Sequence, residues 1–439
     1  MTATLAQGPF ADLAIRAQAG EPVGAVGDML REAREEAFAR FTAVGVPTSK
    51  DEEWRFTPVR YLATTDFRSA GVSPRVTERD IAPFLIRDGE FRLVLVDGRV
   101  DPSLSRMPRR ADVRLVPLSD IGDTGSMFTD SLAAGNGTIE ATPFAALNAA
   151  VWTDGAALYV GGGAVIEAPI EILHVATPAA ANAVITPRTI IHADQMAQVH
   201  VIENFVSLTD EPYFTNAACE IIMSDGARVE HVRIQRESRA ATHVGITTVH
   251  QAGNSHYRSF TLALGAKLSR HNLHAHLDAP NVETLLYGLY VGRGEQLIDN
   301  HTAIFHDHPD CKSWEVYKGV LAERAHGVFN GKVIVRPAAQ KTDAKQTNRN
   351  LLLSDQAKID TKPQLEIFAD DVRCTHGATV GRLDEQQRYY LRTRGIAGRA
   401  AEMMLIHAFV AEVLAEVMQS QVREALEALV HAEMDAMIG

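Results

Sequence analysis

Between Gly155 and Gly381 the sequence is a succession of short β-branched runs, among them ALYV, IEILHV, VITPRTIIH, QVHVIENFV, RVEHVRIQ, YRSFTLAL and KVIV, with no helical period to interrupt them. Glycines mark many of the junctions, including Gly161 to Gly163, Gly226, Gly253, Gly265, Gly292, Gly294 and Gly331. So many strands with so few helices restrict the chain to a closed barrel, a sandwich or a stacked coil. Runs such as VITPRTII are apolar on both parities, and a strand buried on both faces suits parallel stacking better than a water-washed antiparallel sheet. The expected core is a parallel β-helix, although no strict repeat and no G-G-x-G-x-D calcium pattern is visible.

The flanks read differently. Met29, Leu30, Ala33, Ala37 and Phe41 fall at helical spacing between Gly24 and Gly45, and PTSKDEEWRFTPVRYL then predicts a short helix opening at Pro47 to Ser49, anchored by Trp54, Phe56, Tyr61 and Leu62. FRLVLVDGRV predicts a hairpin turning at Asp97-Gly98, followed by a strand in DVRLVPL. A Gly, Ser and Thr-rich loop from Gly122 to Thr142 is expected to set this mixed region apart from the coil. After Gly395 the pattern turns helical. Met403, Ile406, Val410, Val413 and Val417 form one stripe, Met404, Leu405, Phe409 and Leu414 widen it, and a second helix carries Val422, Leu426, Leu429, Val430 and Met437. A face that broad predicts either a mutually packed hairpin or a surface for a partner, with Met403, Ile406, Phe409, Val410 and Val413 as the candidate docking residues. The expected divisions are 1–150, 151–394 and 395–439.

Composition excludes several classes. No apolar run approaches the roughly 18 to 20 residues needed to span a bilayer. The N-terminal segment lacks a basic region followed by an apolar core, so a cytoplasmic location is expected. The three cysteines, Cys219, Cys311 and Cys374, are odd in number and far apart, which predicts free thiols in a reducing compartment. Lys plus Arg number 43 against 55 for Asp plus Glu, and no basic run suggests a nucleic-acid surface. The sequence has no P-loop, no strand-borne G-x-G-x-x-G and no G-x-S-x-G elbow, so the chain is expected neither to hydrolyse ATP itself nor to bind a dinucleotide in a Rossmann pocket.

The stretch DTKPQLEIFADDVRCTHGATVG, from Asp360 to Gly381, holds the strongest candidate chemistry. Leu365 and Ile367 alternate as in a strand, Asp370 and Asp371 supply a turn, and an extended segment from Val372 puts Cys374 and His376 on one face, about 6 to 7 Å apart. Thiolate and imidazole suit iron, zinc or copper. Two ligands make half a site, because a cluster or structural zinc normally takes four. Spacing alone favours a core cysteine, since Cys374 shares the parity of Val372. A second group, His301, His306, His308 and Cys311, fits no standard zinc set, and it reads as solvated turn histidines, as do His271, His274 and His276.

The runs YKGVL (317–321), HGVFNGKVIV (326–335), AAQKTDAKQTNRNLLLSDQAKIDTKPQLEIFADDVRCTHGATVG (338–381) and YYLRTRGI (389–396) resemble the SufD family of iron-sulfur cluster assembly proteins, in the SufB/SufD superfamily. PTSKDEEWRFTPV and PFAALNAA are weaker landmarks of the same family. The resemblance implies a mainly β protein: a right-handed parallel β-helix flanked by N-terminal and C-terminal helical regions. It implies a non-catalytic scaffold subunit that pairs through its β-helix with SufB, binds the SufC ATPase through its C-terminal helices, and shares a transient iron-sulfur cluster at the SufB interface. Cys374 and His376 fall on the family's interface positions, so the resemblance makes them the cofactor-binding and metal-binding residues. Whether Cys374 ligates a cluster, carries sulfur as a persulfide or shapes the site stays open. His306 and His308 match no family role. Reduced flavin is associated with some such complexes, but no residues here specify a flavin site. Open β-helix edges also predict a homodimer when the chain is isolated. A β-helix polysaccharide lyase or hydrolase and a zinc storage protein are the competing readings. The missing export signal, the lack of a carboxylate ladder and the shortage of nearby ligands weigh against them.

Overall fold

The computed structural model describes residues 10, 13, 31–71, 73–87, 89–107, 110–121, 128 and 142–438. The 122–142 loop and the start of the first helix, Met29 and Leu30 included, lie almost wholly outside these residues.

The β-branched runs form two long sheets that face each other across a narrow lumen. One sheet stacks Val113–Pro117, Gly155–Val160, Arg188–Ala193, Phe214–Met223, Thr242–Gln251, Leu268–Leu277, Leu297–His306, His326–Val335 and Lys358–Ile367. The other stacks Arg99–Val100, Arg92–Val96, Val165–Ala176, Gln198–Ser207, Arg228–Arg236, His256–Ala263, Glu283–Gly292, Lys312–Leu321, Asp343–Leu352 and Arg373–Gly381. Successive strands alternate between the sheets and pair in parallel with the strand one turn earlier. Thr242 pairs with Leu268 and Gly155 with Arg188, so one turn takes 26 to 33 residues. This is the expected β-helix, a solenoid of about eight turns. One apolar column repeats along the first sheet as Leu158, Ile191, Ile221, Val249, Ala275, Ile304 and Val333, all buried in the lumen.

A backbone feature fixes the corners. Gly163, Met196, Gly226, Asn254, Asn281, Asp310 and Lys341 fall once per turn, with φ between 58° and 71°. Each amide donates to a carbonyl one turn further on, as in Gly226 N to Gly253 O (2.9 Å) and Asp310 N to Gln340 O (3.0 Å). Gly226→Val would force a β-branched residue into the left-handed region and press its Cβ on Met196 Sδ. It is expected to cost about 2 kcal/mol, read from the denaturant midpoint.

The two strands expected in a separate N-terminal region extend the coil instead. Arg92–Val96 pairs in parallel with Val165–Ala176, and Val113–Pro117 pairs antiparallel with Gly155–Val160. The Asp97-Gly98 hairpin forms as expected, with both residues at positive φ. These strands cover the first turn and close that end of the β-helix.

Helices cover the outer faces. Among the described residues they are α1 (Arg31–Val44), α2 (Glu78–Ile81), α3 (Pro143–Val151), α4 (Glu385–Thr393), α5 (Gly398–Leu414) and α6 (Ser420–Ile438). Phe38 and Phe41 of α1, with Trp54, Leu62 and Phe144, pack on Phe214, Val244 and Leu268 of the first sheet. In place of the expected helix at Pro47 to Ser49, two short 3-10 turns, Glu52–Trp54 and Arg60–Ala63, hold Trp54 and Leu62. On the second sheet, α5 and α6 bury Ile406, Val410, Val413, Leu426 and Val430 against Val232, Phe260, Tyr287, Leu289 and Val320. Charged pairs rim that contact: Lys318 Nζ with Glu412 Oε2 (2.5 Å), Arg258 Nη1 with Glu416 Oε2 (3.0 Å), and Arg293 Nε with Glu433 Oε1 (2.8 Å).

Candidate functional site

The far end of the β-helix is open. Among the described residues Lys358–Ile367 and Arg373–Gly381 are the last strands of their sheets, and each pairs on one side only. In every preceding turn the corresponding lumen-facing side chains are covered by the next turn. Here they are bare: Ile367 is 40% exposed and Val380 51% exposed. Phe368, just beyond the first of these strands, is exposed too. Gly377 and Gly381 have open space where a Cβ would project. An uncovered apolar layer flanked by unpaired backbone edges calls for a further layer of protein.

Cys374 and His376 lie on this last layer. Cys374 pairs with Ala344 and His376 with Gln346. Both partners are buried and face the lumen, so the two candidate ligands share that face as the spacing predicted. Cys374 is half-buried and packs, with Val372, on the end of the lumen core. His376 is exposed. Desolvation raises the Cys374 thiol above its ordinary range and the nearby Asp343 carboxylate adds to the effect. A cation or a basic group at this end would favour the thiolate.

Sequence reasoning missed what lies beneath His376. Gln346 Nε2 donates to Glu315 Oε2 (2.8 Å) in the same register column, and both side chains are buried. Burial pushes the Glu315 carboxyl up to about 7, a position that nothing in WEVYKGVL signals. The folded chain therefore keeps a proton between pH 4.5 and 7 that the unfolded chain releases, so stability falls as pH rises across that window and then levels off. Glu315→Gln should stabilise the protein at pH 8 by on the order of 3 kcal/mol and make little difference at pH 4. Urea midpoints at the two pH values check this.

The other candidate histidines are dispersed, and most are not solvated turn residues. His301 Nε2 contacts Asp299 Oδ1 (3.0 Å) and its Nδ1 faces Glu53 Oε2 (3.3 Å) on the outer face. His306 is buried in the lumen beside Ser313 Oγ (2.8 Å), and burial lowers its imidazole to about 4. His271 is buried against Thr247 Oγ1 (3.0 Å), and His276 stacks on Phe305. The Cys311 thiol donates to Ala279 O (3.3 Å). His308, in the turn before Cys311, joins none of them.

The C-terminal stripe is also spent differently from the docking reading. Ile406, Val410 and Val413 are almost fully buried inside the chain, so they have no surface to offer a partner. Met403 and Phe409 are partly buried against the same cluster, and the Phe409 ring lies 4.7 Å from Lys318 Nζ. The stripe is broad because α5 packs on the β-helix with one side and on α6 with the other. What remains outside are side chains such as Met404 and Met418, with Tyr389 and Tyr390 on α4.

Residues 175–409 match the SUF system FeS cluster assembly, SufBD core domain. The chain belongs to the SufBD family. This SufBD chain is 33% identical over 405 residues to an iron-sulfur cluster assembly SufBD family protein of Synechocystis, covering 90% of this chain and 89% of the relative. It is 33% identical over 371 residues to the iron-sulfur cluster assembly protein SufD of Escherichia coli K12, covering 84% and 85%. It is 28% identical over 415 residues to the chloroplastic protein ABCI7 of Arabidopsis thaliana, covering 90% and 84%. A SufD-type role in iron-sulfur cluster assembly follows from this relationship, and the β-helix of the SufBD core is the element that ends in Cys374 and His376.

Proposed function

We propose that this chain is a non-catalytic scaffold subunit in cytoplasmic iron-sulfur cluster assembly, and that it pairs end to end with a SufB-type chain through the open turn of its β-helix. The observation that carries the reading is the coincidence of Cys374 and His376 with the uncovered layer. Two ligands on an open end are half a site, and an apposed chain can supply the rest. The nascent cluster is the cargo of that interface, with Cys374 and His376 as this chain's contribution. A SufC-type ATPase docks on the C-terminal helices, through the outward faces of α4 to α6 rather than through Ile406, Val410 and Val413. The lyase or hydrolase reading has no support in the family relationship.

In a reconstituted complex, Cys374→Ser or His376→Ala should lower bound iron and sulfide at least tenfold, while the melting temperature moves by less than about 2 °C, because neither side chain is fully buried. Iron and sulfide content measured with thermal denaturation on the same preparations tests this. A normal cluster yield in the folded variants would contradict the assignment.

A further inference from the structure

A second group of metal-type donors sits deep in the lumen, near the closed end. Cys219 comes from the first sheet, and Glu203 and His231 come from adjacent strands of the second. One donor atom from each lies within 4.8 Å of the other two, and all three side chains are buried. His231 Nε2 faces Glu203 Oε2 at 3.1 Å, and its Nδ1 is 3.2 Å from Tyr257 Oη. Thr189 Oγ1 donates to Glu203 Oε1 (2.7 Å). The strand of His231 and the strand of Cys374 are five strands apart in one sheet, about 24 Å at the usual spacing.

One buried, unpartnered side chain points to a missing cation. His174 is 93% buried and stacks on Phe205, yet among the described residues neither ring nitrogen has a hydrogen-bond partner. Its Nε2 is aimed at the cluster, 3.8 Å from Glu203 Oε1.

We propose that Glu203, Cys219 and His231 form an internal binding site for a borderline divalent cation, zinc or iron(II), with His174 as the fourth donor. Sulfur, nitrogen and carboxylate donors together select such ions over magnesium or calcium. Ion-to-donor distances of roughly 2.0 to 2.3 Å set neighbouring donors about 3.5 Å apart, so a shift of about an ångström closes the set. Tyr257 and Thr189 then hold the His231 ring and the Glu203 carboxylate in place, as outer partners of metal ligands do. Binding through Nε2 releases the Cys219 proton and leaves the His231 proton on Nδ1, where Tyr257 Oη can accept it.

The test is anaerobic titration of metal-free, full-length protein with Co2+, whose thiolate charge-transfer band reports sulfur ligation directly. Wild type and Cys374→Ser should each take up about one ion at this site with the band present. Cys219→Ser should lose the band, and His231→Gln should bind at least tenfold more weakly. Should Cys219→Ser fail to fold, the Cys311→Ser/Cys374→Ser double variant carries the same decision, because it leaves Cys219 as the only thiol of the three. No stoichiometric uptake, a band that disappears with Cys374, or a band that survives in Cys219→Ser would overturn the proposal.

Discussion

Val410→Asp should release the C-terminal helices from the β-helix, costing about 4 kcal/mol and exposing the outer face of the second sheet. Val410 is 1% exposed at the centre of a cluster that joins α5 and α6 to Val232, Phe260, Tyr287 and Leu289. Burying a Val side chain contributes about 2 kcal/mol, and a carboxylate forced into that site has no partner to offset its desolvation. The rim carboxylates Glu412 and Glu416 are too exposed to compensate. Proteolysis should then cut between Gly381 and Gly398 while the solenoid keeps its β-sheet circular dichroism. The same substitution at exposed Met404 should leave stability within about 0.5 kcal/mol, and any loss of ATPase binding there would report docking rather than folding.

Joint replacement of Ile367 and Val380 by Arg should weaken pairing with a SufB-type chain at least tenfold, equivalent to about 1.4 kcal/mol or more. Both side chains belong to the lumen-facing set, and both are exposed only because the next layer is absent from this chain. Charge placed there opposes the desolvation that a joined interface requires. Fold stability should hardly change, since little contact is lost within the chain. The same variant should also self-associate less than the wild-type chain when each is isolated. Sedimentation of each protein alone and mixed with the partner checks both effects, and a variant that still pairs would move the interface elsewhere.

The coil was legible in the sequence because apolar residues occupy both parities of run after run, which a half-solvated sheet does not need. Its period was not, because the corner position that repeats every turn is defined by backbone conformation. Gly163 and Gly226 suit the left-handed region, but Met196 and Lys341 adopt it as well, so no residue type marks the repeat. The N-terminal strands were recognised as strands, yet their docking on Val165–Ala176 and Gly155–Val160 depends on pairing across a long sequence separation that local pattern cannot report. The breadth of the C-terminal stripe was read correctly and explained wrongly in part. Ile406 and Val413 face the chain's own sheet and helix, a distinction that periodicity does not encode. Cys374 and His376 were singled out by family resemblance, and strand spacing gave their shared face on the last layer. The polar lumen was invisible, since Glu203, His231, Glu315 and Gln346 sit in alternating strands exactly where solvent-facing residues would be expected.

The most direct test of the open end as the assembly interface is backbone amide exchange over Lys358–Ile367 and Arg373–Gly381, measured with the chain alone and with a SufB-type partner. Each strand now pairs along one edge, so the amides on its free edge should exchange quickly in the isolated chain at concentrations where it is monomeric. On addition of the partner those amides should slow by at least a hundredfold, together with burial of Cys374 against alkylation. Unchanged exchange in both strands, with protection appearing instead on another face of a stable complex, would contradict the account.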